Sequence, residues 1–171
     1  WSKPSAVSIT QSTEAGTVYT LDQVRAIAGL AKEKGLRVHM DGSRLANALA
    51  RLGCAPADLT WKLGVDALSF GATKNGALGA EAVVLFRPQA AERQRLAYLH
   101  KRGGHLVSKM RFVSAQLEAY VKGGLWLKNA AHANKMAARL DDGLRKIPGI
   151  VLEHPVEANE VFLRLPEPVI K

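Results

Sequence analysis

Lys74 stands in surroundings suited to covalent chemistry. It ends a short run, Leu68-Ser-Phe-Gly-Ala-Thr-Lys74, and is followed by Asn-Gly-Ala-Leu-Gly-Ala80, so most of its neighbours carry only hydrogen, methyl or hydroxyl groups. Such small residues let a flat ring approach the backbone closely. A lysine held among apolar groups is also partly desolvated, which disfavours its charged form and makes the amine a better nucleophile for a carbonyl carbon. Taken alone, a lysine in a Gly-rich stretch is usually an ordinary turn residue, so the reading needs a second site.

That second site is Val38-His-Met-Asp41-Gly-Ser-Arg44, an apolar strand ending in a carboxylate, a turn and an arginine. In an open parallel sheet, ligands collect beyond the carboxyl ends of the strands, where Asp41 and the Lys74 loop would both lie. Pyridoxal 5'-phosphate (PLP) presents the carbonyl that Lys74 would attack. A buried Asp41 would pair with its protonated ring nitrogen and keep the ring an electron sink, and Arg44 offers a bidentate fork for an amino-acid carboxylate. Asp-Gly is also a common turn signal, and Arg44 fits the first turn of a helix. The joint pattern of strand-Asp-x-x-Arg followed by strand-x-x-x-Lys is far more specific than either half.

With both motifs in view, the sequence resembles the low-specificity L-threonine aldolases, fold-type I PLP enzymes that cleave β-hydroxy-α-amino acids to glycine and an aldehyde. The resemblance rests on His39-Met-Asp-Gly-Ser-Arg-Leu-Ala-Asn-Ala48 and Ser69-Phe-Gly-Ala-Thr-Lys74. Ser8-Ile-Thr-Gln-Ser-Thr-Glu-Ala-Gly-Thr-Val-Tyr19 and His100-Lys-Arg-Gly-Gly-His105 support it, and it runs from about Ala6 to Phe162. It implies PLP as cofactor, Lys74 as the catalytic Schiff-base lysine, Asp41 on the pyridine nitrogen and Arg44 on the substrate carboxylate. It also implies a homodimer or homotetramer, since such sites draw residues from two subunits. Family members are longer: the phosphate-cradling loop, the ring stacked on PLP and the candidate histidine bases belong to a part preceding Trp1. The expected fold is α/β of the aspartate aminotransferase type, a mostly parallel sheet with flanking helices plus the start of a smaller α+β domain. Residues 1–122 would belong to the large PLP-binding domain, and 123–171 to a linking helix and an incomplete small domain.

The elements that must position these residues follow from local patterns. Ala6 to Thr10 reads as a buried strand, with a polar loop to Thr20 at its ligand-facing end, where Glu14 could face the site. Thr20 and Gln23 form a capping box for a helix with Val24, Ile27, Ala28 and Ala31 inward, stopped by Gly35. A strand from Arg37 to Met40 follows, then a helix from about Arg44 to Leu52 ended by Gly53. A helical turn at Pro56 to Trp61, with Trp61 read as core, leads to a strand from Ala67 to Phe70. Glu81 to Phe86 comes too soon for a crossover helix and must pair antiparallel. Gln89 to Leu99 is a helix, interrupted by His100-Lys-Arg-Gly-Gly-His105. The cations of that loop, Arg102 in particular, are candidates for the PLP phosphate or a neighbouring subunit's site, and an exposed basic loop is the competing reading. Helices from Phe112 to Val121 and Trp126 to Leu144 are separated by Gly123-Gly124, the second with a core stripe of Trp126, Leu127, Ala130, Ala133, Met136, Ala137, Leu140 and Leu144. Ile150 to Leu152 and Glu160 to Leu165 look like two further strands.

Composition bounds the remaining classes. The 171 residues, 47% hydrophobic, suit a globular domain, and no run is long and apolar enough for a membrane span. A cytoplasmic location is expected. Cys54 is the single cysteine, so there is neither an internal disulfide nor a cysteine-based metal pattern. The start at Trp1 without methionine and the end at Lys171 read as those of an internal fragment. The net charge of +9 is concentrated in residues 87–146, which hold 13 basic and 4 acidic side chains. These cations are spaced along helices without interleaved aromatics or a zinc pattern, so neither nucleic acid nor membrane is an expected partner. The other readings are a different fold-type I PLP enzyme, such as an aminotransferase or β-eliminating lyase, and a non-catalytic fragment or basic binding module.

Overall fold

The computed structural model describes residues 3–170. Four strands form one sheet in the order β1 (Ala6–Thr10), β2 (Arg37–Gly42), β3 (Ala67–Gly71) and β4 (Glu81–Leu85). The first three run parallel, with Ser8 opposite His39 and Asp41 opposite Ser69, and β4 returns antiparallel on β3. The nine residues between Gly71 and Glu81 are too few for a crossover, which forces that reversal. All three parallel strands therefore end at one edge, and the segments that follow them project from it.

The helices are α1 (Leu21–Glu33), α2 (Leu45–Leu52), α3 (Pro56–Leu59), α4 (Ala90–Arg102), α5 (Arg111–Val121), α6 (Leu125–Leu144) and α7 (Glu167–Ile170). Thr20 caps α1: its hydroxyl accepts from the Gln23 amide while the Gln23 side chain accepts from Thr20 N–H, an arrangement worth about 1 kcal/mol. Val24, Ala28 and Ala31 bury one face of α1. Gly53, at φ 64°, ends α2 in the left-handed conformation that glycine adopts without strain. Met40, Leu45, Leu49 and Leu59 are among the largest fully buried side chains. The amino end of β2 is tied by Arg37 to Asp66 (2.9 Å) and to Glu92 (3.1 Å) at the start of α4. Among the described residues, no helix is long and apolar enough to cross a membrane.

α6 packs along α2, and a reciprocal amide pair joins them. Asn47 Nδ2 donates to Asn134 Oδ1 and Asn134 Nδ2 to the Asn47 carbonyl, each at 2.9 Å.

Several expectations need correction. The helix read as ending at Leu99 continues through His100 and Lys101 to Arg102, because Gln89 and Glu92 form a capping box at its start and no breaker intervenes before Gly103. Trp61 is only half-buried and stacks beneath Arg87, whose Cζ lies 4.9 Å from the ring centroid. Of the eight-residue stripe on α6, only Trp126, Ala130 and Ala137 are buried, while Met136 and Leu140 are exposed. The side of α6 that meets α2 is covered, and among the described residues the stripe extends beyond that contact. The two late strands shrink to an antiparallel pair, β5 (Val151–Leu152) and β6 (Leu163–Arg164). Glu160 lies outside that pair, its side chain on Arg44.

At the site edge, backbone meets backbone. A Cβ on Gly71 would lie 2.9 Å from Ser43 Cα and 2.8 Å from Glu81 Oε2. Gly71→Ala should therefore lower unfolding free energy by about 1–3 kcal/mol through overpacking. Gly29→Ala, in the exposed interior of α1 with nothing within 4 Å, should raise it by about 0.4–1 kcal/mol. Denaturant melts of the two variants give the comparison.

Candidate functional site

The turn that follows β2 is shaped by Asp41 itself. Its Oδ1 accepts from the Ser43 amide at 2.9 Å and from the Ser43 hydroxyl at 2.7 Å, an Asx turn that redirects the chain into α2. Burial of the carboxyl by itself raises its pKa. The two Ser43 bonds and the nearby positive charges of Lys74 and His39 outweigh that cost and hold the group below the usual aspartate range. Asp41 is thereby kept ionised.

His39 lies two residues before Asp41 and so on the same face of β2. It spans the sheet: Nδ1 is 2.8 Å from Ser8 Oγ on β1 and Nε2 is 2.9 Å from Ser69 Oγ on β3. This polar row fixes the imidazole beside Asp41.

Lys74 rides on a single 3₁₀ turn, Thr73–Asn75, beyond β3. Its neighbour anchors that turn. Asn75 Nδ2 donates to Tyr120 Oη at 2.6 Å and to the Trp126 carbonyl at 2.8 Å, while Asn129 Nδ2 donates to the Asn75 carbonyl at 3.0 Å. Phe70, Tyr120 and Trp126 pack as three rings beneath it, with centroids 5.5 to 6.2 Å apart. The turn is thus held while the lysine is free to reach outward. The expectation that apolar neighbours desolvate Lys74 is not met within this chain: Lys74, Thr73, Gly76 and Gly79 are exposed, and Leu78 is 94% exposed. The loop projects past the sheet edge, where small side chains cover little.

Arg44, the N-cap residue of α2, points to the same edge and is met there by Glu160. Its Nη2 lies 2.7 Å from Glu160 Oε1, with the two side chains 21% and 15% exposed. The charges of Lys74 and Glu14 also act on Glu160. Burial first, and then Glu14, raise the Glu160 pKa, Arg44 and Lys74 lower it, and the net result lies above the ordinary glutamate value. Asp41, Arg44, Lys74, Glu14 and Glu160 therefore share one electrostatic neighbourhood.

Among the described residues, no hydrogen bond or ion pair joins Arg102 to that group. It is exposed in the last turn of α4, a helix whose start is fastened to the amino end of β2 through Glu92. His105, in the following loop, stacks on His100 with ring centroids 6.2 Å apart. Two surface depressions, of about 260 and 650 Å³, open at the amino ends of the strands around Arg37 and Asp66, on the far side from the cluster. No group of three or more His, Cys, Asp or Glu placed to hold a metal occurs among the described residues.

Sequence reasoning passed over Ser43, His39 and Glu160. The Asp-Gly-Ser order is an Asx-turn pattern, and the alternation of His39 and Asp41 puts both on one face, so the first two were open to local reading. Glu160 had no local signal, because its partner lies more than a hundred residues earlier.

The donor set suits a flat, nitrogen-containing, carbonyl-bearing cofactor. It holds a carboxylate of lowered pKa, the kind of group that pairs with a protonated ring nitrogen, and an exposed amine on an anchored turn. Gly42 and Gly71 let β2, β3 and the turn after Asp41 pass close together, which brings these groups to one edge. Ser43→Ala removes one donor to Asp41 and should move its pKa up toward the ordinary value, as read by carboxyl-carbon NMR titration. Because the native pKa is depressed, the stabilisation is present above the unfolded-state value and lost as pH falls through the folded one. Wild type and variant should therefore converge in stability in acid.

The sequence profile of the beta-eliminating lyase family matches residues 2–167. The chain is 50% identical over 169 residues to a low specificity L-threonine aldolase of Pseudomonas sp. (strain NCIMB 10558), and 48% identical to the protein of the same name in Pseudomonas aeruginosa. Each alignment takes in 99% of this chain and 48% of the relative. A threonine aldolase structure from Leishmania major superposes with a TM-score of 0.86 at 34% identity, over 98% of this chain and 48% of that one. The chain thus spans about half the length of the curated relatives it matches, and its fold is that of the fold-type I PLP enzymes.

Proposed function

We propose that this chain, which belongs to the beta-eliminating lyase family, is part of a PLP-dependent aldolase. The substrates would be L-threonine, L-allo-threonine and related β-hydroxy-α-amino acids, cleaved to glycine and an aldehyde. The observation that carries the reading is the gathering of Asp41, Arg44 and Lys74 at the carboxyl edge of one parallel sheet. Half of the aligned positions are shared with a protein named for that activity. Residues 1–122 would belong to the large domain, and 123–171 to a linking helix and the start of a small domain. The holoenzyme would be a cytoplasmic homodimer or homotetramer, acting on a small amino acid rather than on nucleic acid or membrane.

Each residue has a task set by its chemistry. PLP, when bound, supplies an electron sink for the pair left behind as the substrate Cα–Cβ bond breaks. Lys74 would hold it through Nζ, and the ionised Asp41 would accept a hydrogen bond from the ring N–H, keeping that proton in place. Arg44 would clamp the substrate carboxylate, and by fixing it would decide which bond at Cα is aligned to break. A base takes the β-hydroxyl proton as the aldehyde leaves, and a proton returned to Cα completes glycine. Arg102, exposed in the last turn of α4, would serve the cofactor phosphate or the site of a neighbouring subunit.

Borohydride reduction followed by peptide mapping of the protein expressed from its whole gene should place a pyridoxyl group on Lys74. L-Threonine should yield glycine and acetaldehyde, whereas an oxoacid would instead assign an aminotransferase. Lys74→Ala should reduce turnover to background. Arg44→Lys should raise KM by about ten- to a hundredfold, the loss expected for a hydrogen bond to a charged group. Full activity in the Lys74 variant would overturn the assignment.

A further inference from the structure

Glu160 places a carboxylate on the guanidinium that the proposed function reserves for a substrate carboxylate. The pairing is one-sided. Arg44 Nη2 is bonded to Glu160 Oε1, while Arg44 Nε and Glu160 Oε2 are buried without a hydrogen-bond partner. A fork and a carboxylate that matched each other fully would satisfy both pairs of atoms. This contact leaves one atom unsatisfied on each side, and buried polar atoms without partners carry a desolvation cost.

The segment bearing Glu160 is fastened to the loop after β1. Val18 N–H donates to Glu157 Oε2 at 2.7 Å, and a Cβ on Gly16 would meet Glu160 Cβ at 3.1 Å, so the loop passes against Glu160 where only glycine fits. Thr13 and Thr17, whose hydroxyls bond at 2.7 Å, and Gln11, whose amide bonds both Tyr19 N–H and its carbonyl, stiffen that loop. Glu160 therefore sits on Arg44 by construction.

We propose that Glu160 is an internal competitor for the carboxylate subsite: it occupies Arg44 when no amino acid is bound and must be displaced by the substrate's own carboxylate. The inference rests on the function proposed above, with Arg44 as the carboxylate clamp. An ion pair that is half-buried and half-satisfied has little net worth once desolvation is counted, so displacement is accessible. Its effect is to select ligands that carry a carboxylate able to bond both edges of the guanidinium. Amines lacking one gain nothing from Arg44. Glu160 is a specificity-setting residue here, with no part in bond cleavage.

The test is a spectroscopic titration of the PLP-loaded protein, following the cofactor absorbance as ligand is added. Two ligands are compared: glycine, and ethanolamine, which keeps the amine and lacks the carboxylate. If Glu160 holds Arg44 about nine-tenths of the time, Glu160→Gln should bind glycine about tenfold more tightly, because apparent affinity scales with the fraction of competent sites. Ethanolamine affinity should not change. Glu160→Asp, which keeps the charge on a shorter arm, should fall between the two and serves if the glutamine variant does not fold. Unchanged or weaker glycine binding in both variants overturns the proposal, as does an equal gain for both ligands. A wild-type protein that takes up PLP yet shows no response to glycine overturns the functional reading, and this inference with it.

Discussion

A side chain at Gly71 would collide with the backbone at Ser43, 2.9 Å away, and the arrangement of the site depends on that near-contact. β2 and β3 run parallel with Asp41 opposite Ser69, so their ends arrive at the same edge together. Hydrogen in place of a methyl group lets the turn after Asp41 and the strand leading to Lys74 pass side by side. Gly42 serves the same closeness from the other side, where a Cβ would lie 2.9 Å from the Ser69 carbonyl oxygen. Glycine weakens a strand through its conformational freedom, and here that weakness accompanies a shared edge for two chemically unlike side chains.

The edge keeps its charges in distinct states by local means. Asp41 is buried enough to be costly as an anion, and Ser43 offsets the cost with two donors from a residue already required by the turn. Glu160 has one guanidinium bond against burial and a neighbouring Glu14, and its proton affinity moves the other way. Two carboxylates in one electrostatic neighbourhood thus differ in proton affinity because one is matched by donors and the other is not. Lys74, on an anchored turn, acts on both, and Arg44, at a helix start, acts on Glu160.

Where a feature was governed by neighbours in sequence, it was legible. The bounds of β1, the capping box of α1, the glycine stop of α2 and the antiparallel return of β4 each followed from spacing within about ten residues. Asp41 and the Lys74 loop were placed at one edge by the rule for parallel strands, and the ends of β2 and β3 lie side by side there. Features set by distant partners were not legible. Glu160 looked like the start of a strand, but it lies outside the β5–β6 pair and its side chain meets Arg44, a partner more than a hundred residues away. Met136 and Leu140 have the spacing of a buried stripe, but spacing records which side of a helix is apolar and not how much of it a given chain covers. The exposure of Lys74 came from the projection of its loop, which composition alone does not convey.

The amide pair between Asn47 and Asn134 gives α6 a mechanical role. Asn47 lies three residues, about one helical turn, beyond Arg44 on the short helix α2, and Asn134 sits near the middle of the long helix α6. α6 begins immediately after Gly123 and Gly124, both in left-handed conformations that bend the chain. The segment that follows α6 carries Glu160 back to the same guanidinium. The C-terminal third therefore meets this short stretch twice, through Asn134 on Asn47 and through Glu160 on the Arg44 guanidinium. Movement of the C-terminal segment against α2 would therefore strain two contacts that lie within about one helical turn of each other, the amide pair and the ion pair.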